Sequence, residues 1–220
     1  MPINEQKVVF SSFIQELKRY VVIVNPLTAL ENLHQKQKPL VCLTFDDGYA
    51  ELANVIAPVL ESNGITGLFF VNPDFLGITG EKAHSIIRKS YLTELKKDFL
   101  TKNDLIDLSR RGHYIGSHTS SHIRLSNLLD EELLYKEVVL SKDRIEDIIS
   151  QPCNWFAYPF GTASDINEKS LLLALKTYKY VFSSIKGNDL FSFENRVLNR
   201  RHFEGNWDAN HLKYFLSGRK

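Results

Sequence analysis

Thr44-Phe45-Asp46-Asp47-Gly48 decides how this chain is read. It follows an apolar run, Pro39-Leu40-Val41-Cys42-Leu43, with the composition of a buried parallel strand. Two adjacent carboxylates stand where that strand should end, and a glycine turn follows. Like charges side by side are unfavourable unless a positive group sits between them or one carboxyl keeps its proton. Successive side chains on a strand diverge, so the two aspartates can do different jobs. A second stretch supplies partners: His118-Thr119-Ser120-Ser121-His122, directly after an expected strand carrying Tyr114 and Ile115. One aspartate with two histidines is a common ligand set for a catalytic zinc that keeps a position open for water. The other aspartate is then free to act as a base.

Outward from these stretches, strand and helix patterns alternate. Strands are expected at 67–71, 113–116, 155–158, 180–183 and 197–203. Helices are expected at 49–63 (interrupted by Pro58), 101–111 (capped by Thr101), 130–150, 167–177 and 208–216. Residues 74–100, broken by Gly77 and Gly80, read as a long insertion outside the core, with helix expected over 86–97. Residues 1–38 form a helix-and-strand preamble that packs on the unit spanning 39–220. Alternation of this kind predicts an α/β fold with a parallel sheet, open or closed into a barrel. The chemistry-bearing stretches all follow strands, the end that carries active sites in parallel α/β folds.

The chain has 220 residues, 43% of them apolar, and a net charge of +1. That near-balance leaves no electrostatic footprint for a nucleic-acid partner. Only two cysteines occur, Cys42 and Cys153, and both read as small buried hydrophobes rather than a disulfide framework or a metal knuckle. No apolar stretch reaches the length of a transmembrane segment. The first ten residues lack the pattern of a signal peptide, which predicts a cytoplasmic protein, or an extracytoplasmic one if a leader was removed. Oligomeric state is not legible.

Three stretches together resemble the polysaccharide deacetylase family, also called the NodB-homology domain or carbohydrate esterase family 4. They are Thr44–Gly48, then Gly112-His113-Tyr114-Ile115-Gly116-Ser117-His118 running on to His122, then Phe156-Ala157-Tyr158-Pro159-Phe160-Gly161. The resemblance implies a distorted (β/α) barrel with about seven parallel strands. It implies metal-dependent removal of acetyl groups from N-acetylated, less often O-acetylated, carbohydrate: an acetylated sugar, an oligosaccharide or a glycan precursor. Asp47, His118 and His122 would hold a divalent metal, Zn2+ first and Co2+ or Ni2+ as alternatives. Asp46 would be the base acting on a metal-bound water. An oxyanion N–H would come from the segment Tyr158, Pro159, Phe160.

The chain departs from that pattern twice. Many members begin the proline motif with an Arg that pairs with the base; here the position holds Ala157, and Arg200 on the last strand is the substitute the resemblance suggests. Many members also carry a late histidine acid; only His202 lies in the right region, two residues after Arg200. Two rival readings stand beside the deacetylase: an amide hydrolase acting on a small non-sugar substrate, and a carbohydrate-binding homologue that has lost catalysis. Bland roles fit the other candidates. His113 reads as structural, His34, His84 and His211 as surface residues, Trp155 and Phe156 as core. Tyr158 and Phe160 read as groove residues, and Trp207 as either groove or cap.

Overall fold

The computed structural model describes residues 1–33, 39–187, 189–203 and 211. His34, Trp207 and most of the helix expected over 208–216 therefore lie outside the described residues. Nine short strands are described: β1 Val22–Ile23, β2 Leu40–Val41, β3 Thr44–Phe45, β4 Leu68–Val71, β5 Tyr114–Ser117, β6 Trp155–Ala157, β7 Tyr180–Ser183, β8 Phe191–Ser192 and β9 Val197–Asn199. β1 and β2 form a separate parallel pair. The other seven make one sheet in the order β3-β4-β5-β6-β7-β9-β8. Every pairing in it is parallel except β8 with β9. The sheet is curled into a half-barrel.

Period-two alternation builds two apolar layers from the same strands. Phe69, Val71, Phe156, Tyr158, Val181 and Val197 belong to the large core between sheet and helices. Leu68, Phe70, Trp155, Ala157, Phe182 and Leu198 form the second layer. Phe70 in that layer lies near both His118 and Arg200, so it marks the concave face. Strands buried on both faces read as continuous apolar runs, which is why β4 and β6 are visible in the sequence. Gly116 on β5 is dictated by packing, because a Cβ there would meet the Phe70 ring at 2.5 Å.

Several expectations are corrected. The run 39–43 is not one buried strand: only β2, Leu40–Val41, is strand, Cys42-Leu43 separate it from β3, and most of it is half-buried. Cys42 is accordingly half-buried rather than buried, while Cys153 is buried, and both are free thiols. The last strand ends at Asn199 and gains the antiparallel partner β8, which the sequence pattern did not announce. The expected helix over 49–63 opens into a wide π turn at Leu52–Ile56, with Ala57 N–H bonding back to Leu52. Pro58 follows at once; it has no N–H to give, and the wide turn absorbs the mismatch. The long helix after Asp130 carries a similar turn at Lys136–Leu140, and Leu133, expected on its apolar face, is exposed. Thr101 and Asp104 form a reciprocal capping box on the helix Lys102–Arg110, as their spacing predicts.

The N-terminal helix Ile3–Lys18 places Phe10, Phe13, Ile14 and Leu17 in the same core as the strands. Phe13 stacks on Phe203, so the two ends of the described chain meet.

Candidate metal and catalytic site

The curl of the sheet brings the segments after β3, β5 and β9 together. Asp46 and Asp47 follow β3. Asp47 has φ of 75° and Gly48 69°, so the chain turns sharply there and the two carboxylates point apart. Arg200, just beyond β9, returns across the open side of the half-barrel. Its guanidinium grips Asp46 with two parallel bonds of 2.6 and 2.8 Å and also reaches Thr44 Oγ1 at 3.2 Å. Arg200, which the resemblance suggests in place of the motif arginine, is thus placed against Asp46.

Asp47 lies on the other side, with the histidines. Its Oδ1 is 3.6 Å from His118 Nε2 and 3.5 Å from His122 Nε2. The three ligand atoms lie within 4.8 Å of one another. Each imidazole donates its other nitrogen to a carbonyl: His118 Nδ1 to Ala157 O at 2.7 Å, His122 Nδ1 to Ser90 O at 3.1 Å. A proton on Nδ1 leaves a lone pair on Nε2, directed at the shared space. Burial pulls both histidines below their usual pKa, His122 to about 3 with His118 adding to the effect, so both are neutral and able to ligate.

The aspartates differ in the same way. Burial works against ionisation of Asp46, but Arg200 and then His118 outweigh it and hold the carboxyl well below the usual range. Burial and the adjacent Asp46 charge push Asp47 up to about 8, with the Tyr49 hydroxyl pulling the other way. A half-buried carboxylate with two neutral imidazole lone pairs and no cation of its own is a donor set that fits a divalent ion.

The loop 118–122 is held from outside. Asn72 Nδ2 donates to His118 O and Thr119 O. Glu137 accepts from Ser121 N and Oγ at 2.9 and 2.6 Å, while the buried Thr119 hydroxyl has no partner among the described residues. Asn72 and Glu137, both outside the turn, therefore satisfy much of its polar backbone. Thr119 and His122 sit at positive φ (63° and 54°), a conformation that persists only where surroundings over-determine it.

The proline motif divides in two. Tyr158 is core, 1% exposed, and its N–H is already given to Phe182 O at 3.1 Å. It is therefore not the groove residue expected. Pro159 has no N–H. Phe160, half-buried at φ of 60°, packs its ring 5.0 Å from His122, and its N–H has no acceptor among the described residues. Trp155 and Phe156 are core, as expected. His202 is exposed just past Arg200. His113 is structural: its Nδ1 accepts from Gly67 N at 3.1 Å and its Nε2 lies 2.9 Å from Glu61.

The insertion 74–100 is more than a surface excursion. Its helix Gly80–Ile86 and the π turn Ile87–Tyr91 dock through Ala83 and Ile87 on Tyr49, Phe75 and Phe99. That docking delivers Ser90 and Tyr91 to His122. Sequence reasoning missed both, and missed Asn72; the Asn-Pro step after β4 read only as a strand end.

This fold agrees with the comparisons to known proteins. The polysaccharide deacetylase family matches residues 34–181, and the chain belongs to that family. It is 27% identical over 157 residues to the putative polysaccharide deacetylase YxkH of Bacillus subtilis, a match covering 70% of this chain and 48% of that protein. It is 28% identical over 110 residues to a chitin deacetylase of Arthroderma benhamiae, covering 50% of this chain and 23% of that one. The chain thus spans about half or less of these curated relatives. Among solved structures, the deacetylase PplD of Streptococcus pyogenes, determined with acetate, superposes with a TM-score of 0.71 at 21% identity, covering 95% of this chain and 86% of that one. At that identity the likeness establishes the fold. No described helix is long and apolar enough to cross a membrane.

Proposed function

We propose that this protein is a metal-dependent deacetylase of N-acetylated carbohydrate. One observation carries the reading: a base clamped by arginine, Asp46, stands beside a convergent Asp47-His118-His122 donor set on a polysaccharide deacetylase fold. Asp47 and the two Nε2 atoms would hold the ion, zinc first for two nitrogens and one oxygen, with cobalt or nickel as alternatives. The chemistry such an ion supplies is Lewis acidity toward an acetyl carbonyl and a water pKa lowered to about 7 in favourable sites.

The remaining work falls to the chain. Asp46 Oδ2 lies 3.9 Å from His118 Nε2, beside the shared space, and takes the proton of the attacking water. Arg200 fixes both carboxylate oxygens, so the base meets the water in one orientation. A carboxylate held so far down is a weak base, but its protonated form is a strong acid. Asp46 can therefore hand the same proton to the leaving nitrogen, and the exposed His202 is not required. The Phe160 N–H is the donor available to the carbonyl oxygen as charge develops there. The rings of Phe160 and Tyr91 border His122 and give a sugar an apolar edge to lie against.

The names of the curated relatives support an acetylated polysaccharide as the substrate class, with amide favoured over ester. The test is acetate release from N-acetylated and O-acetylated oligosaccharides, with added zinc and with a chelator. Zinc-dependent acetate from the N-acetylated set is expected. Release that ignores the chelator, or none from any sugar, overturns the reading.

A further inference from the structure

Resting on the reading that Asp47, His118 and His122 hold a divalent ion, we propose that Tyr91, brought in by the insertion, is a positioning residue that braces both histidine ligands at once. Its ring stacks on His122 with centroids 4.0 Å apart and planes 29° apart. Its hydroxyl donates to Asn72 Oδ1 at 2.9 Å. Asn72, 2% exposed, passes the contact on through Nδ2 to the carbonyls of His118 and Thr119. The preceding residue, Ser90, accepts the Nδ1 proton of His122. One dipeptide therefore fixes the tautomer of His122, the plane of its ring and, through Asn72, the backbone of His118.

The brace is needed where it stands. His122 occupies the left-handed region without being glycine, a conformation that its surroundings must hold in place. Phe160 covers another side of the ring, edge-on at 5.0 Å, and is itself covered by the Arg124 guanidinium at 3.7 Å. Tyr91, at a helix end, and Phe160, in the loop after β6, thus bracket the ligand from two different segments. The helix ends immediately after Tyr91, where Leu92 turns to φ of 56°, so the dipeptide is presented at a defined terminus rather than mid-loop. Contacts of this kind behind a metal ligand are worth about 10- to 100-fold in metal affinity.

The experiment titrates the metal-free full chain with Co2+ and follows its visible absorption, in wild type, Tyr91→Phe and Tyr91→Leu, with apo melting temperatures measured alongside. Tyr91→Leu removes the aromatic face and the hydroxyl together; Tyr91→Phe keeps the stack and loses the hydroxyl's bond to Asn72 at 2.9 Å and its longer one to Asp47 O at 3.5 Å. The expected result is about 10- to 100-fold weaker cobalt binding and an altered spectrum in Tyr91→Leu, with a smaller but measurable loss of affinity in Tyr91→Phe. A merely structural role would lower the apo melting temperature without moving the spectrum. Wild-type affinity and spectrum in Tyr91→Leu overturn the proposal while leaving the metal reading intact. Failure of the wild type to bind cobalt overturns both. If Tyr91→Leu does not fold, Tyr91→Phe decides: an unchanged spectrum and affinity refute the link through Asn72.

Discussion

Asp46 and Asp47 are neighbours with opposite electrostatics, and the difference lies in what each one faces. Asp46 faces Arg200 and is held ionised; Asp47 faces two neutral imidazoles and is pushed up to about 8 until a cation arrives. Replacing Arg200 by Ala should raise the pKa of Asp46 and move the acid limb of the kcat/KM profile to higher pH. The rate should fall about 10²-fold, the low end of what a positioned base contributes, and pH-rate profiles of both proteins check this. His113 gives a separate pH effect on stability. Burial lowers its pKa, against the opposing pull of Glu61, so the folded state binds its proton later than the unfolded chain. Below the unfolded value of about 6.5 the unfolded state then holds more protons, and stability falls as pH drops. Urea unfolding at pH 7.5 and 5.5 should show that loss in wild type and a smaller one in His113→Gln. The four residues Asp46, Asp47, His118 and His122 were legible because each follows a strand in a recognisable motif. Arg200 was legible from the missing arginine at Ala157. Tyr91 and Asn72 were not, since a stack and a side-chain bridge across 19 residues leave no periodic trace.

Elements explain the rest of that difference. β4, β6 and β7 are buried on both faces, so their apolar runs announce them, and the capping box at Thr101 announces its helix. β8 is two residues at an edge, too short for any pattern. The π turns were invisible because they preserve apolar spacing roughly while shifting the face by a fraction of a turn. The insertion was misjudged for a similar reason: its apolar residues make a small separate cluster rather than extending a core element. Within β5 the tight point is Gly116, facing the Phe70 ring and Trp155 Cβ at 2.5 and 2.9 Å. Gly116→Ala should destabilise the protein by about 1–3 kcal/mol through overpacking, read as a lower urea midpoint. It should also weaken metal binding, because β5 delivers His118.

At the scale of the whole molecule, the half-barrel does what a flat sheet could not. It returns Arg200 to Asp46 across 154 positions of sequence and sets that carboxylate beside Asp47, His118 and His122. Sites built this way are stabilised by what they bind. Zinc at 100 times its Kd should add about 2.7 kcal/mol to the unfolding free energy. Thermal melts with zinc and with a chelator check it; equal melting temperatures would mean that no ion is held by the folded state. The central claim is that holding the metal and moving the proton are the work of different aspartates. The most direct measurement is made on Asp46→Asn, with zinc content and acetate release determined on the same sample. Metal retained at wild-type stoichiometry and acetate release reduced at least about 10²-fold are expected. Acetate release near the wild-type rate would contradict that claim, and so would loss of the metal together with the activity.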